Sequence, residues 1–134
     1  MLKNIPKVLS PDLLQILAQM GHGDTIVLAD ANFPAENCGK RVVYAPGTDA
    51  VQMMRAILTL MPLDQYVETP AYFMAVNPGD TYVPTIWEDF KQTVEELNGP
   101  TNITYIDRFD FYERTKNAFA VVSTGEERLY GLSL

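Results

Sequence analysis

The chain has 134 residues, 47% hydrophobic and 20% charged, a balance that argues for one domain with a real core and excludes a mainly disordered chain. Ten Lys and Arg stand against 17 Asp and Glu, a formal charge of −7, so nucleic acid and anionic membrane surfaces are poor partners. No stretch approaches the roughly 20 apolar residues of a membrane helix, and Met1-Leu2-Lys3-Asn4-Ile5-Pro6-Lys7 leads into no apolar signal core, so a soluble cytoplasmic protein is expected.

Ser10-Pro11 reads as an N-cap with proline at the first helical position. Leu13, Leu14, Ile16, Leu17 and Met20 recur at helical spacing, and Gly21 is a natural stop. Thr25 to Ala29 is a short apolar run of strand length ending at Asp30, and Asn32 to Lys40 reads as a loop. Arg41 to Tyr44 reads as a second strand. Thr48 is the expected cap of a second helix, with Val51, Met54 and Leu58 as its stripe and Pro62 beyond it. Its methionines read as core packing. Tyr72 to Val76 reads as a buried strand closed by Asn77-Pro78-Gly79. A helix follows through Trp87, Phe90, Val94 and Leu97, ended by Asn98-Gly99-Pro100. Asn102 to Ile106 is the next strand, and Asp110 the expected cap of a short helix through Asn117. Ala118 to Ser123 is a strand, Thr124-Gly125-Glu126 a turn, and Arg128 to Leu134 a last extended segment.

Strands alternating with helices predict a single three-layer α/β/α domain over 1–134, with a largely parallel (mixed) sheet covered on both faces. Ligands in such sheets bind beyond the carboxyl ends of the strands, where this order puts Asp30. By itself, Asp30 reads equally as a cap or turn residue.

Several chemistries are missing. The single cysteine, Cys38, excludes an intramolecular disulfide and a cysteine-based zinc cluster. No glycine-rich phosphate loop, G-x-S-x-G elbow or second histidine is present. What remains is Gly21-His22-Gly23-Asp24. Histidine ordinarily titrates near pH 6.5. Flanking glycines let a ligand approach the ring closely, and Asp24 either orients the ring or caps the next element. The segment alone leaves open a solvent-exposed loop histidine. In Arg108-Phe109-Asp110-Phe111-Tyr112-Glu113-Arg114, Arg108 and Tyr112 stand four apart and share one side if helical. Arg108 offers several donors to a polyhydroxylated ligand. Taken alone, this stretch reads as structural.

Together these residues resemble the L-fucose mutarotase family, within the wider ribose pyranase and fucose mutarotase group, from Met1-Leu2-Lys3 to Gly131. The resemblance rests on Met20-Gly21-His22-Gly23-Asp24, Ala29-Asp30-Ala31-Asn32-Phe33-Pro34, Arg108 to Arg114, and Tyr130-Gly131. Gly23, where ribose pyranases usually carry threonine, and the Arg-Phe-x-Phe-Tyr-Glu-Arg stretch look like the fucose branch. The resemblance implies roles for six residues. His22 is the proton-transfer residue, assisted by Tyr112, and Asp30, Arg108, Tyr130 and Gly131 bind sugar. It also implies a monosaccharide substrate, no metal or other cofactor, and a homo-oligomer of pentameric rings stacked as decamers, with sites between adjacent subunits. Leu132 departs from the pattern, standing where the group has an asparagine, whose donor and acceptor a leucine lacks. Two further readings therefore stand beside L-fucose mutarotation. One is D-ribose pyranase-type ring interconversion. The other is a non-catalytic, transport-associated sugar-binding protein.

Overall fold

The structure, a computed structural model, describes residues 2–130. Ten elements follow in the order α1 (Pro11–Gln19), β1 (Ile26–Ala29), α2 (Ala35–Cys38), β2 (Val42–Ala45), α3 (Ala50–Leu60), β3 (Ala71–Met74), α4 (Ile86–Asn98), β4 (Ile103–Ile106), α5 (Arg108–Asn117) and β5 (Ala120–Thr124).

The helix starts are set by short polar side chains. Ser10 Oγ accepts from Leu13 N at 3.2 Å and opens α1 with Pro11 at its first position. Asp49, rather than Thr48, caps α3, its Oδ1 accepting from Gln52 N at 2.8 Å. The Thr48 carbonyl is instead engaged by Gly125 N at 2.9 Å. Likewise Asp107, rather than Asp110, caps α5, accepting from Asp110 N at 2.8 Å. Asp110 lies in the first turn, where a carboxylate suits the positive end of the helix dipole. This earlier start puts Arg108 and Tyr112 on one helix. At the other end of α4, Gly99 adopts φ +81 and stops the helix.

Two expectations fail locally. The stretch expected as a loop from Asn32 to Lys40 contains the one-turn helix α2, closed by Gly39 N bonding to Ala35 O at 2.7 Å. The expected extended segment from Arg128 is a bend and turn through Tyr130, with φ +60 at Tyr130. The remainder, 131–134, lies outside the described residues.

Among the described residues every strand pairing is parallel. β5 is central, between β1 and β2, and β3 pairs with β4. Strand periodicity splits the core into two sets. Ile26, Leu28, Val43, Phe73, Ala120 and Val122 face α1, α3 and α4. Val27, Ala29, Met74, Ile106 and Val121 face α2 and α5. The result is the expected three layers. Phe73 is fully buried, with ring centroids 5.3 Å from Phe90 and 5.7 Å from Tyr105. Phe73→Ala is expected to cost about 3–5 kcal/mol in urea unfolding, from lost burial and an unfilled cavity.

Contacts between loops fix the direction of the two strand groups. Asn77 and Asp80, after β3, meet Tyr130, after β5. His22, before β1, meets Asp64, before β3. Both groups therefore run the same way and share one carboxyl edge. No helix among the described residues is long and apolar enough to cross a membrane.

Candidate functional site

The carboxyl edge gathers most of the candidate residues. Asp30 directly follows β1 and is buried. Its Oδ1 accepts from Asn32 N at 3.1 Å, and the next residue, Ala31, donates its N–H to Glu126 O at 2.9 Å. The β1 and β5 exits are thus tied together. Gly125 lets the β5 exit also lie against the β2 exit, since a Cβ there would fall 2.0 Å from Pro46 O.

Arg108 and Tyr112 lie on consecutive turns of α5. Arg108 is exposed, with its guanidinium 4.9 Å from the Phe109 ring centroid, and it has no ion pair among the described residues. Tyr112 stacks on Phe33 at 5.4 Å and 20°, and its hydroxyl has no hydrogen-bond partner among the described residues. Phe33 N bonds to Asp30 O at 3.3 Å, which links the Tyr112 stack to Asp30.

Tyr130 is buried at the same edge. Its hydroxyl donates to Asp80 Oδ2 at 2.6 Å and accepts from Asn77 N at 3.2 Å, and its ring stacks on Tyr82 at 6.0 Å. The Asp80 carboxylate pushes the phenol pKa up, an effect that the nearby Arg108 charge opposes. The phenol in turn holds Asp80 below the usual carboxylate range. Arg128 donates to Asp89 Oδ2 at 2.6 Å and, through Nε, to buried Glu126 Oε2 at 3.3 Å, fastening this segment to α4. Gly131 and Leu132 lie outside the described residues.

His22 is elsewhere. It precedes β1, whereas Asp30 follows it, and the strand separates the two by roughly 15 Å at about 3.3 Å per residue. The Gly21–Asp24 turn is closed by Asp24, whose Oδ2 accepts from Gly21 N at 2.8 Å and whose N–H donates to Gly21 O at 3.1 Å, with Gly23 at φ +89. Asp24 therefore shapes the turn and does not orient the ring. The carboxylate facing the imidazole is Asp64, its Oδ2 3.8 Å from Nε2, and the Tyr66 ring stands edge-on at 6.0 Å. The His22 side chain is 75% exposed.

Sequence reasoning missed Asp64, Tyr66, Asp80 and Tyr82. Asn77-Pro78-Gly79 read only as punctuation, Asp80 just beyond it drew no reading, and the stretch from Pro62 to β3 carried no pattern. The one available signal was position, since each acidic residue sits in a loop that flanks β3.

The chain matches, over residues 3–132, the model of the RbsD / FucU transport protein family. It is 50% identical over 136 residues to the fucose mutarotase of Mus musculus, covering 97% of this chain and 89% of that one. A solved structure of the fucose mutarotase in complex with L-fucose from Streptococcus pneumoniae superposes with a TM-score of 0.92 at 47% identity, covering 98% of this chain and 94% of that one. Bacillus subtilis RbsD complexed with D-ribose superposes less closely, with a TM-score of 0.68 at 26% identity, over 93% and 89% of the two chains. On a match that spans nearly its whole length, the chain belongs to the RbsD / FucU transport protein family.

Proposed function

We propose that this protein is a cofactor-independent mutarotase that interconverts the α and β anomers of L-fucose. The observation that carries the reading is the likeness to the Streptococcus pneumoniae fucose mutarotase, whose structure holds L-fucose. The carboxyl edge adds groups suited to a polyol, with Asp30 after β1, Arg108 after β4 and Tyr130 after β5.

Mutarotation needs a group that both gives and takes protons. A base removes the anomeric hydroxyl proton while an acid protonates the ring oxygen. The bond between the anomeric carbon and the ring oxygen breaks, leaving an aldehyde and a free hydroxyl. Rotation about the adjacent C–C bond presents the other carbonyl face, and closure reverses the two proton transfers. An imidazole works in both directions near neutral pH, and this role belongs to His22, whose Nε2 lies 3.8 Å from Asp64 Oδ2. Tyr112, whose hydroxyl both donates and accepts, serves the second oxygen. Asp30 and Arg108 hold the hydroxyls that do not react.

One chain cannot apply His22 and Arg108 to the same monosaccharide, because they lie at opposite strand ends. The site is therefore completed by a second copy, whose amino edge docks on the carboxyl edge of the first. Such a head-to-tail contact gives a ring where its rotation closes, in line with the pentameric rings that the resemblance implies. Exposed apolar side chains at both edges suit this docking: Tyr66 at 90% beside His22, and Val83 at 77% and Phe109 at 68% on the opposite edge.

The test is saturation-transfer NMR on equilibrated L-fucose, following the two anomeric protons. Addition of the protein is expected to accelerate exchange, and to do so more for L-fucose than for D-ribose. Saturable sugar binding without accelerated exchange would replace the enzyme reading with the binding one. Preferential D-ribose ring exchange would favour the pyranase reading.

A further inference from the structure

We infer that Asp80 is a positioning residue of the proposed sugar site, holding Tyr130 by its hydroxyl in a left-handed backbone turn at the carboxyl edge. The inference rests on the mutarotase reading. Tyr130 has φ +60, a region that residues other than glycine seldom occupy. Such a conformation persists only where the surroundings over-determine it, and it collects at functional sites.

The stretch between β3 and α4 supplies that determination at three points. Asp80 Oδ2 accepts the phenol proton at 2.6 Å, Asn77 N donates to the same oxygen of Tyr130 at 3.2 Å, and the Tyr82 ring lies against the Tyr130 ring at 21°. A short O–H to carboxylate bond is the strongest of these. Asp80 is itself held in place, because its Oδ1 accepts from Tyr82 N at 2.9 Å and its own N–H donates to Asn77 O at 3.0 Å. One carboxylate oxygen thus fixes the loop and the other fixes Tyr130. The raised phenol and the lowered carboxyl pKa keep this pairing intact at neutral pH. Asp80 is exposed and belongs to neither core set, whereas the Tyr130 ring that it holds packs at the rim of the second set, so the tie fixes the polar end of a ring whose other end is buried.

Anomer-exchange kinetics on L-fucose in Asp80→Ala, Tyr130→Phe and the double variant test this, with unfolding curves confirming that each is folded. Each single change is expected to raise KM about tenfold with kcat within about twofold, because a loosened binding wall weakens sugar in ground and transition states alike. The double variant is expected to be no worse than either single one, because both remove the same tie. Asp80→Asn keeps an acceptor for the phenol and is expected to recover most of the loss. Unchanged KM in folded Asp80→Ala, additive losses in the double variant, or a fall in kcat at constant KM would each overturn the inference. A readout independent of activity is the ring-carbon titration of isotopically labelled Tyr130, expected to move to lower pH in Asp80→Ala. A titration that stays put overturns the tie. Unaltered protein that neither exchanges nor binds L-fucose fails the mutarotase reading and takes the inference with it. Normal exchange with an indifferent Asp80→Ala overturns the inference alone.

Discussion

His22→Ala is expected to lower kcat/KM for L-fucose anomer exchange by about 10²–10⁴-fold, the usual contribution of a positioned proton-transfer group. The same change is expected to leave the thermal midpoint within about 2 °C, since surface substitutions rarely exceed about 0.5 kcal/mol. The stability arm follows from the 75% exposure of the His22 side chain and from the kind of contacts it makes among the described residues, the Asp64 carboxylate at 3.8 Å and the Tyr66 ring at 6.0 Å. The tight turn around His22 does not depend on the imidazole, because Asp24 and Gly21 close it between themselves. Asp64→Asn is expected to act in the same direction but less severely, because the amide keeps the shape of the group 3.8 Å from His22 Nε2 and removes only its charge. The measurement is saturation-transfer NMR alongside a thermal melt. A His22→Ala protein that exchanges anomers at the wild-type rate would remove His22 from the reaction.

Much of the scaffold was legible because it is written in local patterns. Ser10-Pro11 announces α1 through a hydroxyl cap and a pre-set φ, and the β1 run from Ile26 to Ala29 is apolar at every position because both its faces are covered. The helix caps show where local reading runs out. Thr48 and Asp110 are both competent caps, and the choice of Asp49 and Asp107 is decided by what the flanking backbone does. The Thr48 carbonyl, for one, is recruited by Gly125 from a distant turn. α2 escaped because a four-residue helix offers no periodicity, and its helical turn rests on burial of Ala35 and Cys38. In the candidate site, His22, Asp30 and Arg108 were legible as residues, whereas their partners were not. The pairing of His22 with Asp64 and of Tyr130 with Asp80 joins loops that are 42 and 50 positions apart, and only the strand order brings them together. That order also reveals something no motif contains. His22 and Asp30 lie eight positions apart in sequence, yet β1 runs between them and sends them to opposite edges.

Two inactive variants are therefore expected to restore activity when they assemble together. His22→Ala keeps the carboxyl-edge half of the site, and Arg108→Ala keeps the amino-edge half. Both residues are exposed, so both variants are expected to fold and assemble. Each alone lacks one half of every site and is expected to be close to inactive. Co-expressed in equal amounts, they are expected to share rings, in which random neighbours leave about a quarter of the head-to-tail contacts with both halves intact. Exchange at about a quarter of the wild-type rate is the expected result, with differently tagged copies confirming that the rings are mixed. A second mixture sharpens the test. Wild type combined equally with the double variant His22→Ala/Arg108→Ala also yields about a quarter if the site is shared, but about a half if each chain carries its own. Verified mixed rings that recover nothing in the first mixture and a half in the second would place His22 and Arg108 in one chain's site. The amino-edge loop would then have to swing across β1 to reach the sugar. Recovery to a quarter in both mixtures makes the ring itself the catalytic unit. It would also account for the exposure of Tyr66 and Phe109 at opposite edges of the chain.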